Sequence, residues 1–203
     1  MKKYAVLHEP GDIVTLAGTR FVVLDVERRG SLPDSLFLLA LESVGTSEFG
    51  SSNNYAESDL KKAVDKWLED MDKRGLDNAK LIPREIDLTT LDGSGCYGKL
   101  SVKAAPITLD EAREYADIIP NAERWCWLAT GWSGPSQSDG DYALGVSSNG
   151  VWSNSYCSNS YGIRPALKAP SILFEDSEAG LDLSKIPTDD LLQEIHRRLA
   201  EKA

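Results

Sequence analysis

The side chains that could perform catalysis are few and far apart in this 203-residue chain. Its cysteines are Cys96, Cys126 and Cys157, and its histidines are His8 and His196. A nucleophile needs a base within reach and a group that orients the base, and no such set is evident around these residues. The cysteine spacing matches neither a zinc motif nor a paired disulfide framework. These residues therefore favour a protein without catalytic activity.

The stretch 125–167 has the composition of a binding surface. It holds four of the five tryptophans, followed by a run of small polar residues and tyrosines. Rigid aromatic rings supply contact area, and neighbouring Ser and Asn side chains supply adaptable hydrogen bonds, as in antibody loops. The predicted ligand-binding residues are Trp132, Ser136, Ser138, Asp139, Asp141, Ser147, Asn149, Trp152, Ser153, Asn154, Tyr156, Ser158, Asn159 and Tyr161.

Other residues of this stretch have the pattern of scaffold. Trp125 and Trp127 share one face of a predicted strand, so at least one should lie in the core. Cys126 then faces the opposite side as a buried structural thiol, whereas Cys157 in the polar run is expected to be exposed. Arg164 is expected to form an internal ion pair or to clamp the backbone where the final strand closes.

The acidic residues of this stretch could bind calcium through their oxygens. Asp139 and Asp141, with Ser138 and Asn149, offer such oxygens, but the twelve-residue loop with a late bidentate Glu is missing. A solvated turn is the simpler interpretation. We therefore predict no metal and no cofactor, and the sequence leaves open whether an ion lies near Asp139 and Asp141.

Composition and charge limit the class of protein. Apolar residues make up 41% and charged residues 27% of the chain, as in soluble globular domains. A formal charge of −10 argues against binding to nucleic-acid phosphates. No window is long and apolar enough to span a membrane, and the N-terminus does not resemble a signal peptide. Cytoplasmic synthesis is expected, which also fits a phage particle assembled there.

The beginning of the chain predicts paired strands. Residues 13–27 are rich in β-branched residues and are interrupted at Ala17-Gly18-Thr19, a predicted turn. After Gly30, residues 35–44 form a second apolar run. Two apolar runs so close together predict an antiparallel hairpin.

Two helices are predicted next. The first spans 58–74, with Ser58 as the N-cap, Trp67 on the buried face and Gly75 at the C-terminal cap. The second begins at Thr108, which forms a capping box with Glu111, and its apolar stripe continues to Ile119, before Pro120. Between them, 76–107 could hold a short strand or an extended segment, with a turn at 92–95.

After residue 124 the pattern returns to short strands and turns. The predicted strands are WCWLAT, DYALGVS, GVWS and GIRPAL, with turns at Asp139-Gly140 and Asn149-Gly150. Strands, two helices and a second set of strands predict an α+β fold with antiparallel sheets. A domain is expected over 1–170. Residues 171–203 are predicted to form an acidic connector and a C-terminal amphipathic helix. This helix either packs on the domain or mediates homo-oligomerisation, and a tail that docks on a partner is the alternative.

The order of these motifs resembles a known family. Tyr55, Ser58 and Asp59 match its Tyr-x-x-Ser-Asp helix start, Trp127–Thr130 its Trp-x-Leu-(Ala/Arg)-(Thr/Ser) segment, and Gly162–Leu167 its closing Gly-(Val/Ile)-Arg-Pro-Ala-Leu. Over about residues 10–170 the chain resembles an uncharacterised domain family of gut bacteria and their phages. The resemblance implies a C-type-lectin-like fold related to formylglycine-generating enzymes.

Some lectin-fold proteins of this kind are diversified by retroelements that randomise adenines in a variable region. The resemblance implies that this chain could be such a variable protein of phage or prophage origin, with a protein or cell-surface ligand. Randomised Asn codons yield Asn, Ser, Asp, Gly, Tyr and Cys among others, and residues 153–161 consist only of Ser, Asn, Tyr and Cys, which all belong to that set. Turn-rich loops use much the same residues, so diversification of this segment and the identity of its ligand stay open.

The chain departs from relatives of this fold in two respects. It lacks the Glu-Pro-Asn and Gln-Pro-Asp tripeptides of calcium-dependent sugar sites, so sugar specificity does not carry over. An enzyme of the formylglycine-generating type would need two active-site cysteines near the C-terminal end, and the context of Cys126 and Cys157 does not match. Two alternatives remain, an invariant virion or tail domain and an oxidoreductase that uses one of these cysteines.

Overall fold

The computed structural model describes residues 8–30, 32–135 and 140–174, and the separate positions 188, 189, 192, 193 and 197. These five positions are helical. The other residues of the predicted acidic connector and C-terminal helix lie outside the described residues. No helix in the described ranges is long and apolar enough to cross a membrane.

The described elements are mostly strands. They are β1 (Ile13–Leu16), β2 (Thr19–Arg29), β3 (Leu32–Ala40), β4 (Thr46–Glu48), α1 (Asp59–Lys73), β5 (Arg84–Asp87), β6 (Lys99–Val102), β7 (Ala104–Pro106), α2 (Leu109–Glu114), β8 (Cys126–Gly131), β9 (Tyr142–Val146), β10 (Trp152–Tyr156), β11 (Ser160–Gly162) and β12 (Pro165–Pro170).

The strands form two five-stranded sheets and a small ribbon. The first sheet has the order β1-β2-β3-β12-β7, the second has β10-β9-β8-β11-β4, and β5 pairs with β6. Every pairing is antiparallel except that of β11 with β8, which meet at Gly162 and Cys126. The prediction of an α+β class with antiparallel sheets and two helices is confirmed.

The N-terminal strands confirm the predicted hairpin. Leu16 pairs with Thr19 across a two-residue turn, in which Ala17 and Gly18 have φ values of 45° and 77°. Positive φ at both positions is the backbone of a type I′ turn, whose twist matches that of the flanking strands. β2 then pairs with β3 along most of its length.

The first helix forms as its capping and apolar spacing predict. Ser58 Oγ accepts a hydrogen bond from Lys61 N at 2.9 Å. Four apolar residues at helical spacing are buried, namely Leu60, Val64, Trp67 and Met71. Gly75 follows the helix with φ 101°, the left-handed backbone that glycine adopts without a steric cost.

The second helix starts as predicted but ends early. Thr108 and Glu111 form the complete capping box. The regular helix stops at Glu114, and Tyr115 then turns its ring edge-to-face against Phe37, with 5.6 Å between ring centroids. The chain therefore runs from Tyr115 to Pro120 as a turn and does not continue the regular helix.

The sequence pattern did not identify several short strands. Residues 76–107 contain β5 and β6, which pair with each other, and β7, which pairs with β12 at the edge of the first sheet. β4 follows the first hairpin and pairs with β11. These strands are three or four residues long, which is too short for an apolar period to be recognised.

Strand β8 lies between two parts of the core, and all six of its residues are buried. Trp127 and Ala129 pack in the larger cluster with α1, whereas Leu128 packs on the other side with Leu144 and α2, and the first sheet contributes residues to both clusters. The closing strand β12 pairs with β3 and joins the end of the domain to its beginning. Packing continues to Phe174, which is buried, just beyond the predicted boundary at residue 170.

The close approach of β11 and β8 generates a stability prediction. A Cβ atom on Gly162 would lie 2.8 Å from Cys126 Sγ, 2.9 Å from Ser43 Oγ and 3.0 Å from the Trp125 carbonyl oxygen. We expect Gly162→Ala to lower the free energy of unfolding by about 2 kcal/mol, since overpacking displaces buried neighbours. Urea denaturation measures this change. Gly45→Ala is the matched control, because nothing lies within 4 Å of the position that its Cβ atom would take, and an equal loss in both variants would contradict the prediction.

Candidate functional site

The predicted contact residues centre on the hairpin of β9 and β10. In its register Trp152 pairs with Val146, Asn154 with Leu144 and Tyr156 with Tyr142. Directly paired residues of antiparallel strands project to the same face, and successive residues of one strand project to opposite faces. Trp152, Asn154 and Tyr156 therefore share one face of the hairpin with Tyr142. Leu144 and Val146 lie on this face too, but they pack in the smaller core cluster. We call the other four residues, Trp152, Asn154, Tyr156 and Tyr142, the outer hairpin face.

Two aromatic residues of the outer hairpin face are solvent-exposed. Trp152 is 39% exposed and Tyr156 is 52% exposed. The ring centroids of Tyr156 and Tyr142 lie 4.3 Å apart, and the guanidinium of Arg113 lies 5.9 Å from the centre of the Trp152 ring. Cross-strand stacking and the cation–π contact hold the rings in place without burying them. Rings held in this way can contact a ligand with little loss of side-chain entropy.

The opposite face of the same hairpin is packed. Tyr161 stacks on Trp125 with 5.6 Å between centroids and lies 4.7 Å from the Trp127 ring. The hydroxyls of Tyr161 and Ser155 are 2.9 Å apart, and Asn159 Nδ2 donates to Ser155 Oγ at 2.8 Å. Tyr161 thus supports the hairpin from behind, although the sequence placed it with the contact residues.

Ser153 also lies on this packed side, since it pairs with Gly145 and alternates with Trp152 and Asn154. The structure therefore does not bring all predicted contact residues onto one surface. The division follows from the two-residue period of a strand, which sends neighbours in sequence to opposite faces.

Two other predicted residues shape the turn between β9 and β10. Ser147 is buried, and its hydroxyl bonds Asn149 Oδ1 and accepts from Val151 N at 3.0 Å. Gly150 completes the turn with φ 80°, which agrees with the predicted Asn149-Gly150 turn. Ser147 and Asn149 thus fix the shape of the loop beside Trp152.

The remaining predicted residues are spread around the hairpin. Trp132 is half-buried against the smaller core cluster just after β8. Asp141 and Ser158 are exposed at the same end of the hairpin, just before β9 and just after β10, on the side away from the turn. Ser136, Ser138 and Asp139 lie outside the described residues. A calcium site at Asp139 and Asp141 is therefore untested, and the described residues contain no cluster of metal ligands elsewhere.

Asn53 holds the loop before β9 in position, a role that sequence reasoning missed. It is 1% exposed, and its Nδ2 donates to the Ser133 carbonyl at 2.8 Å and to the Tyr142 carbonyl at 3.0 Å. Its Oδ1 accepts from the Tyr97 hydroxyl at 2.6 Å. A buried amide with these bonds joins the segment before α1 to both ends of the β8–β9 loop. Only the unusual burial of an asparagine marks it, and burial is not visible in the sequence.

Arg164 forms the backbone clamp that the sequence predicted as one of two options. Its Nε donates to the Ala40 carbonyl at 2.9 Å and its Nη1 to the Pro120 carbonyl at 3.1 Å. Burial lowers the pKa of this guanidinium. Arg164 also lines a cavity of about 160 Å³ between α2 and the second sheet, and Trp152 lies at the edge of that cavity. Arg164 thus links the end of β3 to the loop after α2, beside the cavity that Trp152 borders.

A second cavity, of about 220 Å³, lies on the other side of α2 and is lined by charged residues. Its buried Arg84 pairs with Glu111, donates to the carbonyls of Ala105 and Pro106, and stacks on Phe37 at 5.1 Å. These contacts give Arg84 a structural role in joining α2 to β5 and β7.

The buried cysteines lie on opposite sides of the second sheet. Cys126 is buried, as predicted; it pairs with Val146 and lines the smaller cavity, on the side of α2. Cys157 belongs to the larger core cluster, so the expectation that it is exposed is wrong. The reason is that its backbone bridges Asp141 and Phe49, which carries the side chain inward. Cys96 is exposed, and all three thiols are free.

Comparison with models of protein families, with curated proteins and with solved structures finds no match in any of the three. The resemblance to a lectin-like family therefore stays a prediction that rests on the quoted motifs.

The cysteine environments predict one reactive thiol in the folded protein. Burial raises the pKa of Cys126 to about 11 and that of Cys157 to about 12, so both stay protonated near pH 8, where the thiolate is the reactive form. We expect a thiol reagent at pH 8 to modify Cys96 alone, and all three after unfolding in denaturant. Intact-mass spectrometry counts the modified thiols, and Cys96→Ser is the control that should stay unmodified. Rapid modification of that control in the folded state would contradict the prediction.

Proposed function

We propose that this protein is a non-enzymatic ligand-binding protein of the receptor or adhesion type. The observation that carries the proposal is the outer hairpin face, which exposes Trp152 and Tyr156 around a central amide. Aromatic residues are enriched at the centres of protein interfaces, where their large rigid surfaces exclude water. Asn154 supplies a donor and an acceptor between the two rings, and this combination fits a ligand with both apolar and polar groups.

The charge of this surface supports a polar but uncharged contact. No Asp, Glu, Lys or Arg occurs between Asp141 and Arg164, in a chain with a formal charge of −10. A charged ligand would find no opposite charge within this segment. Arg113 of α2 does lie beside Trp152, next to the segment. The ligand we propose is therefore a protein or another cell-surface molecule, recognised through stacking and hydrogen bonds.

Diversification fits the exposed positions of the segment better than the buried ones. Tyr156 and Ser158 are exposed and Asn154 is half-buried on the outer hairpin face, so changes there would alter the surface at little cost to the fold. Cys157 and Tyr161 are packed, and substitution there would disturb the core. We therefore propose a variable surface on a lectin-like scaffold of phage or prophage origin, in which variation is confined to the outward positions.

An invariant virion or tail domain is the alternative to a variable receptor. It would use the same scaffold with a fixed surface and would be held in an assembly by the C-terminal segment.

An oxidoreductase of the formylglycine-generating type has less support. Such chemistry would need two cysteines, or a cysteine and a metal, in one cleft. The side chains of Cys126 and Cys157 lie on opposite sides of the second sheet, and burial raises the pKa of both thiols. A raised pKa keeps a thiol protonated and therefore less nucleophilic.

The variable-surface proposal predicts a specific arrangement in the source DNA. We expect a reverse-transcriptase gene nearby and a second copy of the segment encoding residues 142–161 that differs at adenines. Sequencing the neighbouring DNA in several isolates tests this, and the differences should concentrate at codons 154, 156 and 158. Identical segments in all isolates without a template copy would favour the invariant alternative.

The binding proposal predicts that the two exposed rings contribute most of the affinity. We expect Trp152→Ala with Tyr156→Ala to lower binding of the labelled full chain to a panel of bacterial cells by roughly 30-fold or more, equivalent to about 2 kcal/mol, as for interface hot spots. Flow cytometry with increasing protein concentration measures the affinity.

The matched control for this experiment is Ile172→Ala. Ile172 is 61% exposed but lies in the turn after β12, far in sequence from the hairpin. We expect this variant to bind as the parent protein does. Saturable binding of the parent that survives loss of both rings would contradict the assignment of the site.

A further inference from the structure

Strand β10 is an edge strand whose outward backbone groups are open. In the described ranges it pairs with β9 alone and ends the second sheet. On the β9 side, Cys157 N donates to the Asp141 carbonyl at 2.7 Å and Ser147 N donates to the Val151 carbonyl at 2.9 Å. Hydrogen-bonded positions alternate along an antiparallel pair, so the backbone N–H and carbonyl groups of Ser153 and Ser155 also point toward β9.

The alternation leaves the backbone of Trp152, Asn154 and Tyr156 directed away from β9. Within the described residues, the one backbone bond on that side is from Asn159 N to the Tyr156 carbonyl, at 2.9 Å. Asn154 therefore presents both its N–H and its carbonyl at the centre of the open edge. Such an edge is a template for pairing with another strand.

This edge lacks the features that usually prevent pairing. Natural edge strands are protected by charged side chains, by proline or by bulges, and β10 contains no charged residue or proline. Its pairing with β9 is continuous from Trp152 to Tyr156 without a bulge. The flanking Val151 is 56% exposed and adds apolar surface at one end of the strand.

The sequence of β10 reads nearly the same in both directions about its centre. It is Trp152-Ser153-Asn154-Ser155-Tyr156, an aromatic residue, a serine and an asparagine followed by a serine and an aromatic residue. In an antiparallel pair of two such strands, each residue type would face its own kind. The isologous interface of a two-fold dimer requires this self-complementarity.

We propose that β10 pairs antiparallel with β10 of a second copy of this chain, about a two-fold axis at Asn154. Asn154 of one copy then exchanges both backbone hydrogen bonds with Asn154 of the other. Trp152 of one copy lies opposite Tyr156 of the other, on the same face of a sheet that continues through both copies. Paired aromatic side chains across strands add to the backbone bonds.

The absence of charge on this strand matters for the choice of partner. Two copies of a chain with a formal charge of −10 repel each other at long range. The uncharged segment between Asp141 and Arg164 is where two copies can approach with the least repulsion. The pairing also places two outer hairpin faces side by side, but it does not depend on the binding function proposed above.

The test is the mass of the full chain in solution without any ligand. Sedimentation equilibrium in the micromolar range should give twice the mass of one chain. Asn154→Pro removes the central outward N–H, costs no bond to β9 and suits an edge strand, so it should raise the dimer dissociation constant by roughly tenfold or more. Asn154→Ala keeps the N–H and is the matched control, which should stay dimeric.

A cross-link gives a second reading that does not depend on stability. Hydrogen-bonded partners in an antiparallel pair have Cα atoms about 5.5 Å apart, within the range of a disulfide. In a Cys96→Ser background, Asn154→Cys should oxidise to a covalent dimer, whereas Ser158→Cys, exposed but off the axis, should not. A chain that is monomeric throughout this range, or an Asn154→Pro variant that folds and dimerises as tightly as the parent, would overturn the proposal.

Discussion

The burial of strand β8 on both faces is the constraint on which the rest of the structure depends. Trp127 projects to one side, where it packs edge-to-face on Phe49 at 5.5 Å and donates its Nε1 hydrogen to the Ser47 carbonyl at 3.0 Å. Leu128 projects to the other side, toward α2. A strand buried on both faces needs layers above and below it. Helix α1 lies on one side and the α2 segment on the other, and the first sheet contributes residues to the core on both sides.

The position of β8 also decides how the hairpin of β9 and β10 meets solvent. Because β9 lies between β8 and β10, its small residues Ala143 and Gly145 lie close to the core, and a Cβ on Gly145 would lie 3.4 Å from the Trp125 ring. Tyr161 fills the space behind β10. The hairpin is therefore packed on one face. On the other face Leu144 of β9 is buried in the smaller core cluster, whereas Trp152 and Tyr156 of β10 are held by contacts that leave them exposed.

Much of the local structure could be predicted from the sequence. Ser58 and the capping box at Thr108 located both helix starts, and the turn residues located the first hairpin and the turn before β10. These features depend on hydrogen bonds within a few residues, so the local sequence is sufficient. The exposed state assigned to Cys157 was wrong, because its burial depends on backbone bonds to Asp141 and Phe49. The same limit applies to Asn53 and to the short strands β4 and β7, whose partners lie far along the chain.

The sequence by itself determined the residue types of the candidate site, the helix caps, the tight turns and the alternation that makes β10 two-faced. The tertiary structure decided which of these residues stay exposed, because the part of a strand that is covered depends on packing with distant elements. It placed Tyr161 behind the hairpin and Tyr156 in front, although the two lie in one polar run. It also left β10 at the end of its sheet, a position set by strand order, which long-range pairing fixes and local sequence does not.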